Sequence, residues 1–316
     1  MRLLDHILAR PEFEAEPPVL VDVGASGAIH RDWARLAPRA VCIAFDPDPR
    51  EMGYVEKRGA GYRKLIVYRA MLHDQPVESA EFHLTRSPYC SSTLRPRSDR
   101  LAAWAFRELF EVVETTRLPA VTLDRVLREQ GLDRVDWFKT DSQGMDLRLF
   151  RSLGEARLAR VLIAQFEPGI LEAYEGEDTL ADLLAFMRER GFWLSELGLR
   201  GTQRLSDRVR GELPPSSRAG RGLKISPGWG EATYLNAFDG TWSTRDLLLG
   251  WVIATLRRQH GIALEIALSG RDASADPVFD RLRRASRTAI SRAGLAFPAR
   301  ALWRRLRALA GRRFGA

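Results

Sequence analysis

Cysteine is scarce in this chain of 316 residues: there are two, Cys42 and Cys90, and they stand far apart. Their number and spacing exclude a disulfide framework and fit a reducing compartment, so we expect a cytoplasmic protein. The five histidines form no i, i+4 pair and no pattern with cysteine, which argues against a zinc centre. No apolar run approaches the roughly 20 residues that a membrane-spanning helix needs, and the acidic N-terminal segment is unlike a secretory signal.

The positive charge is concentrated at one end of the chain. Residues 281–316 hold 11 arginines and no acid or lysine, and without them the net charge falls from +8 to −3. Within this tail, ARALWRRLRALAGRR places leucine and tryptophan on one side of a helix and arginine on the other. Such a helix can lie on an anionic membrane surface, bind nucleic acid phosphates or dock on a partner, or it is a solvated tail. Of the binding options we favour the inner membrane surface and disfavour nucleic acid.

Short apolar runs alternate with amphipathic segments along most of the chain. Near-continuous runs of this kind are typical of strands buried on both faces of a parallel sheet. Leucines at helical spacing predict a helix that begins at Thr179 and ends at Gly191, and a second helix is predicted over 145–153. The alternation predicts an α/β fold with an open, doubly wound, mostly parallel sheet. The predicted strands are 19–23, 41–45, 64–71, 135–140 and 161–166.

The composition divides the chain into three segments. We predict a helical lead-in over residues 1–16, a main domain over 17–240 and a helical, arginine-rich extension over 241–316. In the extension, Ser243 and Asp246 have the spacing of a capping box. The apolar run that follows them is expected to pack on the main domain or on a second subunit, which would make a homo-oligomer.

Two stretches of the main domain break the alternation. Residues 77–99 predict a strand or hairpin followed by a polar loop, and residues 211–230 are rich in Gly, Pro and Ser. Long loops in compact domains are often functional. We therefore expect residues 84–100 and 205–230 on the side of the site that receives the substrate.

The stretch VLVDVGASG ends the first predicted strand with an acid and a glycine-rich turn. In an open α/β sheet, ligands bind beyond the carboxyl ends of the strands, where the winding reverses. Asp22, Gly24 and Gly27 fall at that edge, and Asp46 ends the second strand 24 residues after Asp22. This offset is close to the roughly 20 residues at which an acid accepts hydrogen bonds from an adenosine ribose. The pattern predicts a nucleoside site, and a helix cap beside a plain tight turn is the structural alternative.

The sign of the charge favours one nucleoside over another. A dinucleotide needs the pattern G-x-G-x-x-G and a helix N-terminus free of negative charge. Here only Gly24 and Gly27 are present, and Asp22 comes directly before them. S-adenosylmethionine (SAM) has no phosphate and carries a sulfonium and an ammonium group, so a carboxylate attracts it. SAM is therefore the predicted cofactor, and a nicotinamide dinucleotide is the alternative.

Seven segments follow one another in order over about residues 17–238: LVDVGASG, AFDPDP, YCSSTLRP, TLDRVL, VDWFKTDSQGMDL, AQFEPGILEAYEG and LLAFMRERGFWLSEL. Together they resemble the FkbM-type family of SAM-dependent methyltransferases. The resemblance implies a Rossmann-like class I methyltransferase fold and methylation of a hydroxyl, often on a sugar, glycan or secondary metabolite. In many relatives a glutamate stands at the position of Gln143, and the glutamine removes one candidate base or metal ligand.

The resemblance also implies roles for single residues. Asp46 would hold the ribose hydroxyls, Met71 and Leu72 would flank the adenine, and Asp141 would face the methionine moiety or the substrate. The methionine end of the cofactor would be lined by Asp22, Gly24, Ala25, Ser26 and Gly27.

A hydroxyl acceptor also calls for a general base within about 3 Å of the proton that it loses. Ser91 and Ser92 are candidates for hydrogen bonds to cofactor or substrate, with turn chemistry as the alternative. A magnesium ion held by two of the acids is a minor alternative, and Trp229 and Glu231 either close the site or are structural. The candidate bases at the carboxyl edge are Asp141, Glu167 and Lys139, with His73 next.

Together these patterns predict a cytoplasmic SAM-dependent O-methyltransferase with a small-molecule or glycan acceptor. Residues 281–316 would give it peripheral contact with the inner membrane face. The alternative is a methyltransferase fold without catalysis that its basic tail recruits to a membrane or to nucleic acid.

Overall fold

The computed structural model describes residues 2–25, 31–47, 61–213 and 223–295. The described strands are β1 (Val19–Val23), β2 (Val41–Phe45), β3 (Lys64–Tyr68), β4 (Met71–Leu72), β5 (Ser79–Thr85), β6 (Val112–Val121), β7 (Trp137–Thr140), β8 (Ile163–Phe166), β9 (Phe192–Thr202) and β10 (Ser226–Asn236). The described α-helices are α1 (Arg2–Leu8), α2 (Pro11–Ala15), α3 (Ser98–Leu101), α4 (Leu123–Glu129), α5 (Asp146–Arg151), α6 (Glu155–Leu158), α7 (Leu180–Glu189), α8 (Asp207–Gly211), α9 (Thr244–Leu256), α10 (His260–Ala273) and α11 (Val278–Leu295). The described residues within 9–239 form one compact unit, and those within 1–8 and 240–316 form another.

The larger unit is built on a seven-stranded sheet with the order β3-β2-β1-β7-β8-β10-β9. The five neighbouring strands β3, β2, β1, β7 and β8 are parallel to one another. Strand β10 runs antiparallel to both β8 and β9. The chain winds outward from β1 to β3 and returns to β7 on the other side of β1. The winding therefore reverses between β1 and β7, and a crevice opens beyond their carboxyl ends. This topology confirms the expected doubly wound, Rossmann-like sheet.

The apolar runs form the central strands because both faces of the sheet are covered. Every residue of β1 and of β2 is buried. Aromatic rings pack behind the sheet, where Phe150 lies 5.2 Å from both Phe138 and Phe166. Helix α7 begins at Thr179 in a full capping box with Asp182. The two predicted helices in this unit are confirmed. The helix predicted over residues 145–153 is shorter than its sequence pattern and spans Asp146–Arg151.

The strand predicted over residues 64–71 is divided into two strands in the structure. The run 64–71 ends as a strand of the main sheet at Tyr68, and Met71 and Leu72 form β4 in a separate three-stranded sheet with the order β4-β6-β5. Strand β6 pairs parallel with β4 and antiparallel with β5. The sequence pattern indicated β5 but missed β6, because most of β6 is exposed and carries charged and hydroxyl side chains.

The smaller unit is helical. Ser243 caps α9 by accepting a hydrogen bond from the Asp246 backbone N–H at 3.1 Å. Helices α10 and α11 pack closely at Gly270, where an added Cβ would lie 2.2 Å from the Phe279 ring. Helix α1 belongs to this unit, which the composition of residues 1–16 did not indicate. In the part of the chain that the structure describes, no helix has the length and apolar character needed to cross a membrane.

Candidate functional site

A cavity lies at the carboxyl ends of β1, β2 and β7, and we call it the edge cavity. Two strand-end acids, Asp46 after β2 and Asp141 after β7, contribute to its wall. Apolar atoms come from β4 and β5, and polar atoms come from the loop after β7. Its lining residues are Val23, Gly24, Phe45, Asp46, Pro47, Met71, Leu72, Phe82, Pro88, Tyr89, Ser91, Thr93, Asp141, Ser142, Gln143 and Met145. The structure thus brings together six predicted cofactor or substrate residues, namely Gly24, Asp46, Met71, Leu72, Ser91 and Asp141.

Gly24 is required at the turn by both conformation and space. Its φ is 71°, in the left-handed region that disfavours side chains. An added Cβ would lie 2.2 Å from the carbonyl oxygen of Asp141, which is backbone and cannot rotate away. The Gly24 N–H donates to the Phe45 carbonyl at 2.9 Å, so the turn holds the ends of β1 and β2 together. Only glycine lets the β1 turn approach the loop after β7 this closely.

Asp22 and Lys139 face each other on neighbouring strands instead of lining the cavity. The Lys139 Nζ donates to the Asp22 carboxylate at 2.7 Å, and both side chains are mostly buried. Burial lowers the pKa of Lys139, but the attraction of Asp22 outweighs it and the net pKa is raised. A lysine held charged in this way is a poor general base. The structure therefore places these two predicted site residues in a pair that fixes β1 against β7.

Asp146 organises the loop between β7 and β8, a role that the sequence patterns did not predict. Its carboxylate accepts hydrogen bonds from the Thr140 hydroxyl at 3.0 Å, from the Ser142 N–H at 2.9 Å and from the Glu167 N–H at 2.7 Å. Asp146 thereby ties the end of β7 to the end of β8. This brings Asp141 and Glu167 to neighbouring positions at the sheet edge. An acid four residues after Ser142, at the start of a helix, was the only signal for it in the sequence.

A second cavity, of about 330 Å³, lies next to the edge cavity, and we call it the aromatic cavity. Its wall contains a chain of rings in which Phe106 lies 6.1 Å from Trp229 and 5.2 Å from Phe110, and Phe110 lies 5.6 Å from Tyr174. Its lining residues are Ser87, Tyr89, Cys90, Phe106, Leu109, Phe110, Asp141, Gln143, Gly144, Glu167, Gly169, Leu171, Ala173, Tyr174, Glu177, Gly228 and Trp229. Asp141, Gln143 and Tyr89 line both cavities, so the two share a wall.

Three carboxyl groups in the wall of the aromatic cavity have raised pKa values. Burial raises the pKa of Glu167 to about 8, helped by the nearby charges of Asp141 and Asp146. Burial raises the pKa of Asp141 to about 6, against the opposing effect of Lys139. Burial also raises the pKa of Glu177 to about 7, although its carboxylate accepts hydrogen bonds from two backbone N–H groups. Acids that change charge near neutral pH are suited to proton transfer.

Gln143 links Asp141, in the wall that both cavities share, to Tyr174, which lines the aromatic cavity alone. Its side-chain amide donates to the Asp141 carboxylate, and its Oε1 accepts from the Tyr174 hydroxyl at 2.9 Å. Its backbone carbonyl accepts from the Ser92 hydroxyl at 2.7 Å. Gln143 has a φ of 55°, which is rare for a residue with a side chain and shows that this network determines its conformation.

The remaining predicted residues lie at varied distances from the cavities. Ser92 lines neither cavity, because its hydroxyl is used in holding the loop to Gln143. Ser91 accepts from the Thr85 N–H at 3.1 Å and still lines the edge cavity. His73 hydrogen-bonds within its own turn, where its Nδ1 accepts from the Gln75 N–H at 3.0 Å. Ala25 is buried behind the turn, and Ser26 and Gly27 lie outside the described residues.

Trp229 lines the aromatic cavity, whereas Glu231 pairs with Arg200 at 2.9 Å on the exposed side of β10. Burial raises the pKa of Cys90 to about 11, which keeps this lining thiol protonated.

Within the described ranges, no group of three or more His, Cys, Asp or Glu side chains is arranged to hold a metal ion. The minor magnesium alternative therefore gains no support from Asp141 and Glu167.

Comparison with known proteins identifies the family. A sequence model of the methyltransferase FkbM domain matches residues 22–194. The chain belongs to this family. No curated protein sequence matches it. The match confirms the resemblance seen in the sequence, and FkbM membership supports SAM-dependent methyl transfer as the activity.

Two solved structures that align with this FkbM methyltransferase are distant from it. One is a precorrin-6y C5,15-methyltransferase from Geobacter metallireducens GS-15, with a TM-score of 0.30 and 12% identity over 74% of this chain and 89% of that chain. Another is NSun6 from Pyrococcus horikoshii with SFG, with a TM-score of 0.27 and 12% identity over 75% of this chain and 51% of that chain. This chain therefore spans about half the length of the second protein.

Proposed function

We propose that this FkbM methyltransferase transfers a methyl group from SAM, bound in the edge cavity, to a hydroxyl of an acceptor bound in the aromatic cavity. The shared wall of Asp141, Gln143 and Tyr89 supports this division most strongly. Ligands in two adjoining cavities can present their reacting atoms to each other beside the residues that line both. Such alignment supplies most of the rate gain in an in-line displacement.

The acceptor and apolar groups of the edge cavity fit SAM. In this proposal Asp46 accepts hydrogen bonds from the ribose hydroxyls, and the side chains of Met71 and Leu72, which line the same cavity, offer an apolar face to the adenine ring. None of the described lining residues is basic, which suits a cofactor without phosphate and disfavours a dinucleotide. Asp141 supplies negative charge to attract the sulfonium and ammonium groups. When bound, SAM supplies an electrophilic methyl group.

Glu167 is the residue that we propose as general base. It lines the aromatic cavity at the end of β8, and Asp146 holds its backbone in place at 2.7 Å. As the acceptor oxygen forms its bond to the methyl carbon and the carbon–sulfur bond breaks, the hydroxyl proton passes to the Glu167 carboxylate. A pKa of about 8 makes this carboxylate a stronger base than an ordinary glutamate, and a minor fraction of it is ionised at pH 7.

The wall of the aromatic cavity favours an uncharged acceptor with both ring faces and hydroxyls. Trp229, Phe106 and Phe110 offer ring surface to the carbon-bound faces of such a molecule. Glu167, Asp141 and the Gln143 amide offer hydrogen-bond partners to its hydroxyls. A sugar, a glycan end or a hydroxylated secondary metabolite meets both requirements.

The cofactor half of the proposal is tested by calorimetry with SAM. We expect the Asp46→Ala variant to bind SAM at least about tenfold more weakly, because it loses charge-assisted hydrogen bonds. Asp133→Ala, at an exposed acid away from both cavities, serves as the control and is expected to bind normally. Failure of the intact protein to bind SAM, or equal affinity of the wild type and Asp46→Ala, would overturn this half.

The acceptor half is tested by incubating the protein and SAM with a panel of small hydroxyl compounds and their matched amines. Mass spectrometry would distinguish methyl ethers from methylamines. Ether products support the hydroxyl assignment, and amine products alone contradict it. Tight SAM binding without transfer to any member favours the alternative of a fold without catalysis.

A further inference from the structure

The smaller unit contains an open groove of about 540 Å³ that neither the fold nor the proposed methyl transfer uses. One side is α11, and the other is the connection between α9 and α10. Ala285, Ala289 and Ala293 lie one turn apart along α11, and their small side chains leave room above the helix. The lining residues are Arg258, His260, Arg284, Ala285, Thr288, Ala289, Arg292 and Ala293.

The groove is positively charged along its whole length. Arg284 and Arg292 stand two turns apart on α11, about 12 Å along the helix axis, and Arg258 faces them from the opposite side. No acidic residue is among the described lining residues. Burial and the neighbouring Arg258 guanidinium both lower the pKa of His260, as expected where the local potential is positive.

The nearest carboxylate of α11 does not neutralise these arginines. Asp280, the acid at the start of the helix, pairs with Arg283 at 3.3 Å and with Arg271 at 3.9 Å. Among the described residues of this unit, Arg258, Arg284 and Arg292 make no ion pair with a carboxylate. These groups therefore keep their capacity to pair with an anion from outside the unit.

A helix N-terminus adds to the positive potential. Helix α10 has 14 residues and begins at His260, which lines the groove, and its N-cap residue makes no side-chain capping bond. The free N–H groups of such a first turn favour an anion, and the helix dipole acts in the same direction. The arginines and the helix end thus provide two independent features of one site.

We propose that this groove binds a phosphate group, as a phospholipid headgroup or as a free phosphate ester. The planar guanidinium groups of Arg258, Arg284 and Arg292 suit the oxygens of a phosphate. Residues 296–316 lie outside the described residues, and their arginine-rich sequence would strengthen attachment to an anionic bilayer. This proposal is independent of the proposed methyl transfer.

The test measures binding of the full chain to three probes. They are vesicles of phosphatidylglycerol in phosphatidylcholine, vesicles of phosphatidylcholine alone, and glycerol phosphate in solution. We compare the wild type with the double variant Arg284→Glu and Arg292→Glu. The control is Arg281→Glu and Arg287→Glu, which changes the net charge of the same helix equally outside the groove.

We expect the groove variant to bind at least about tenfold more weakly than the control variant. Loss of binding to anionic vesicles alone assigns the site to a lipid headgroup, and loss of binding to glycerol phosphate as well assigns it to a free ester. The proposal is overturned if the wild type binds neither the anionic vesicles nor glycerol phosphate, or if both double variants lose binding equally. SAM binding by the groove variant should equal that of the wild type, so failure here is distinct from failure of the methyl-transfer proposal.

Discussion

The edge cavity and the aromatic cavity share a wall but are built differently. The edge cavity is formed by strand ends and by a backbone turn at Gly24, where main-chain atoms set the shape. The aromatic cavity is formed by side chains from separate loops, with rings on one part of its wall and carboxyl groups with raised pKa values on another. The first depends on sheet topology, and the second depends on the identity of single side chains. Substitutions should therefore affect the two cavities by different mechanisms.

The largest expected effect is on the chemical step in the aromatic cavity. Glu167→Gln keeps the shape of the side chain and removes its basicity, so kcat should fall by about 10²–10⁴. Glu189→Gln is the matched control, because this exposed acid ends α7 and lines neither cavity. Steady-state kinetics with an acceptor from the panel would measure both variants. A similar loss in the two variants would remove Glu167 from the role of base.

The pH profile separates Glu167 from Asp141 as the base. The wild-type kcat/KM should rise with pH and level off above about 8, since the free enzyme must lose the Glu167 proton to become active. A rise centred near 6 would instead identify Asp141 as the base. The inflection near 8 should be absent in Glu167→Gln.

The next effect concerns the backbone of the edge cavity. Gly24→Ala places a methyl group against the Asp141 carbonyl, so the turn must move and SAM affinity should fall by about 100-fold. Gly191→Ala is the control, because it has the same φ of 71° but no atom within 4 Å of an added Cβ. Both variants should lose about 1 kcal/mol of stability from the strained φ. Calorimetry with SAM should distinguish them, and equal SAM affinities would show that the close approach at Gly24 is not needed.

A smaller effect should come from the rings of the aromatic cavity. Trp229→Ala removes one ring of the wall and should raise the acceptor KM by about tenfold, from the loss of about 1–1.5 kcal/mol of ring contact. SAM affinity should not change, since Trp229 does not line the edge cavity. Trp193→Ala, on β9, is the control in the same sheet. If SAM affinity falls as much as the acceptor KM rises, the two cavities are not separate sites.

The sequence predicted the edge cavity better than the aromatic cavity, for a physical reason. Gly24 and Asp46 follow buried strands directly, and parallel topology places strand ends at one edge. Tyr174, Glu177 and Phe106 come from loops whose convergence depends on tertiary contacts, and no short-range spacing signals that. Asp22 and Lys139 lie at the same edge in sequence, yet they pair with each other because they face across adjacent strands.

The last expected effect is the contribution of Glu167 to the pH dependence of the protein's folding stability. The folded-state pKa of Glu167 is raised to about 8, so the unfolded chain releases this proton at a lower pH than the folded protein does. Stability should therefore fall as pH rises from about 4.5 to about 8. Glu167→Gln has no proton to lose, so it should be more stable than the wild type at pH 8 and similar to it near pH 4. Urea unfolding at the two pH values would measure this, and a variant less stable at pH 8 would show that the carboxylate is stabilised in the folded cavity, contrary to its raised pKa.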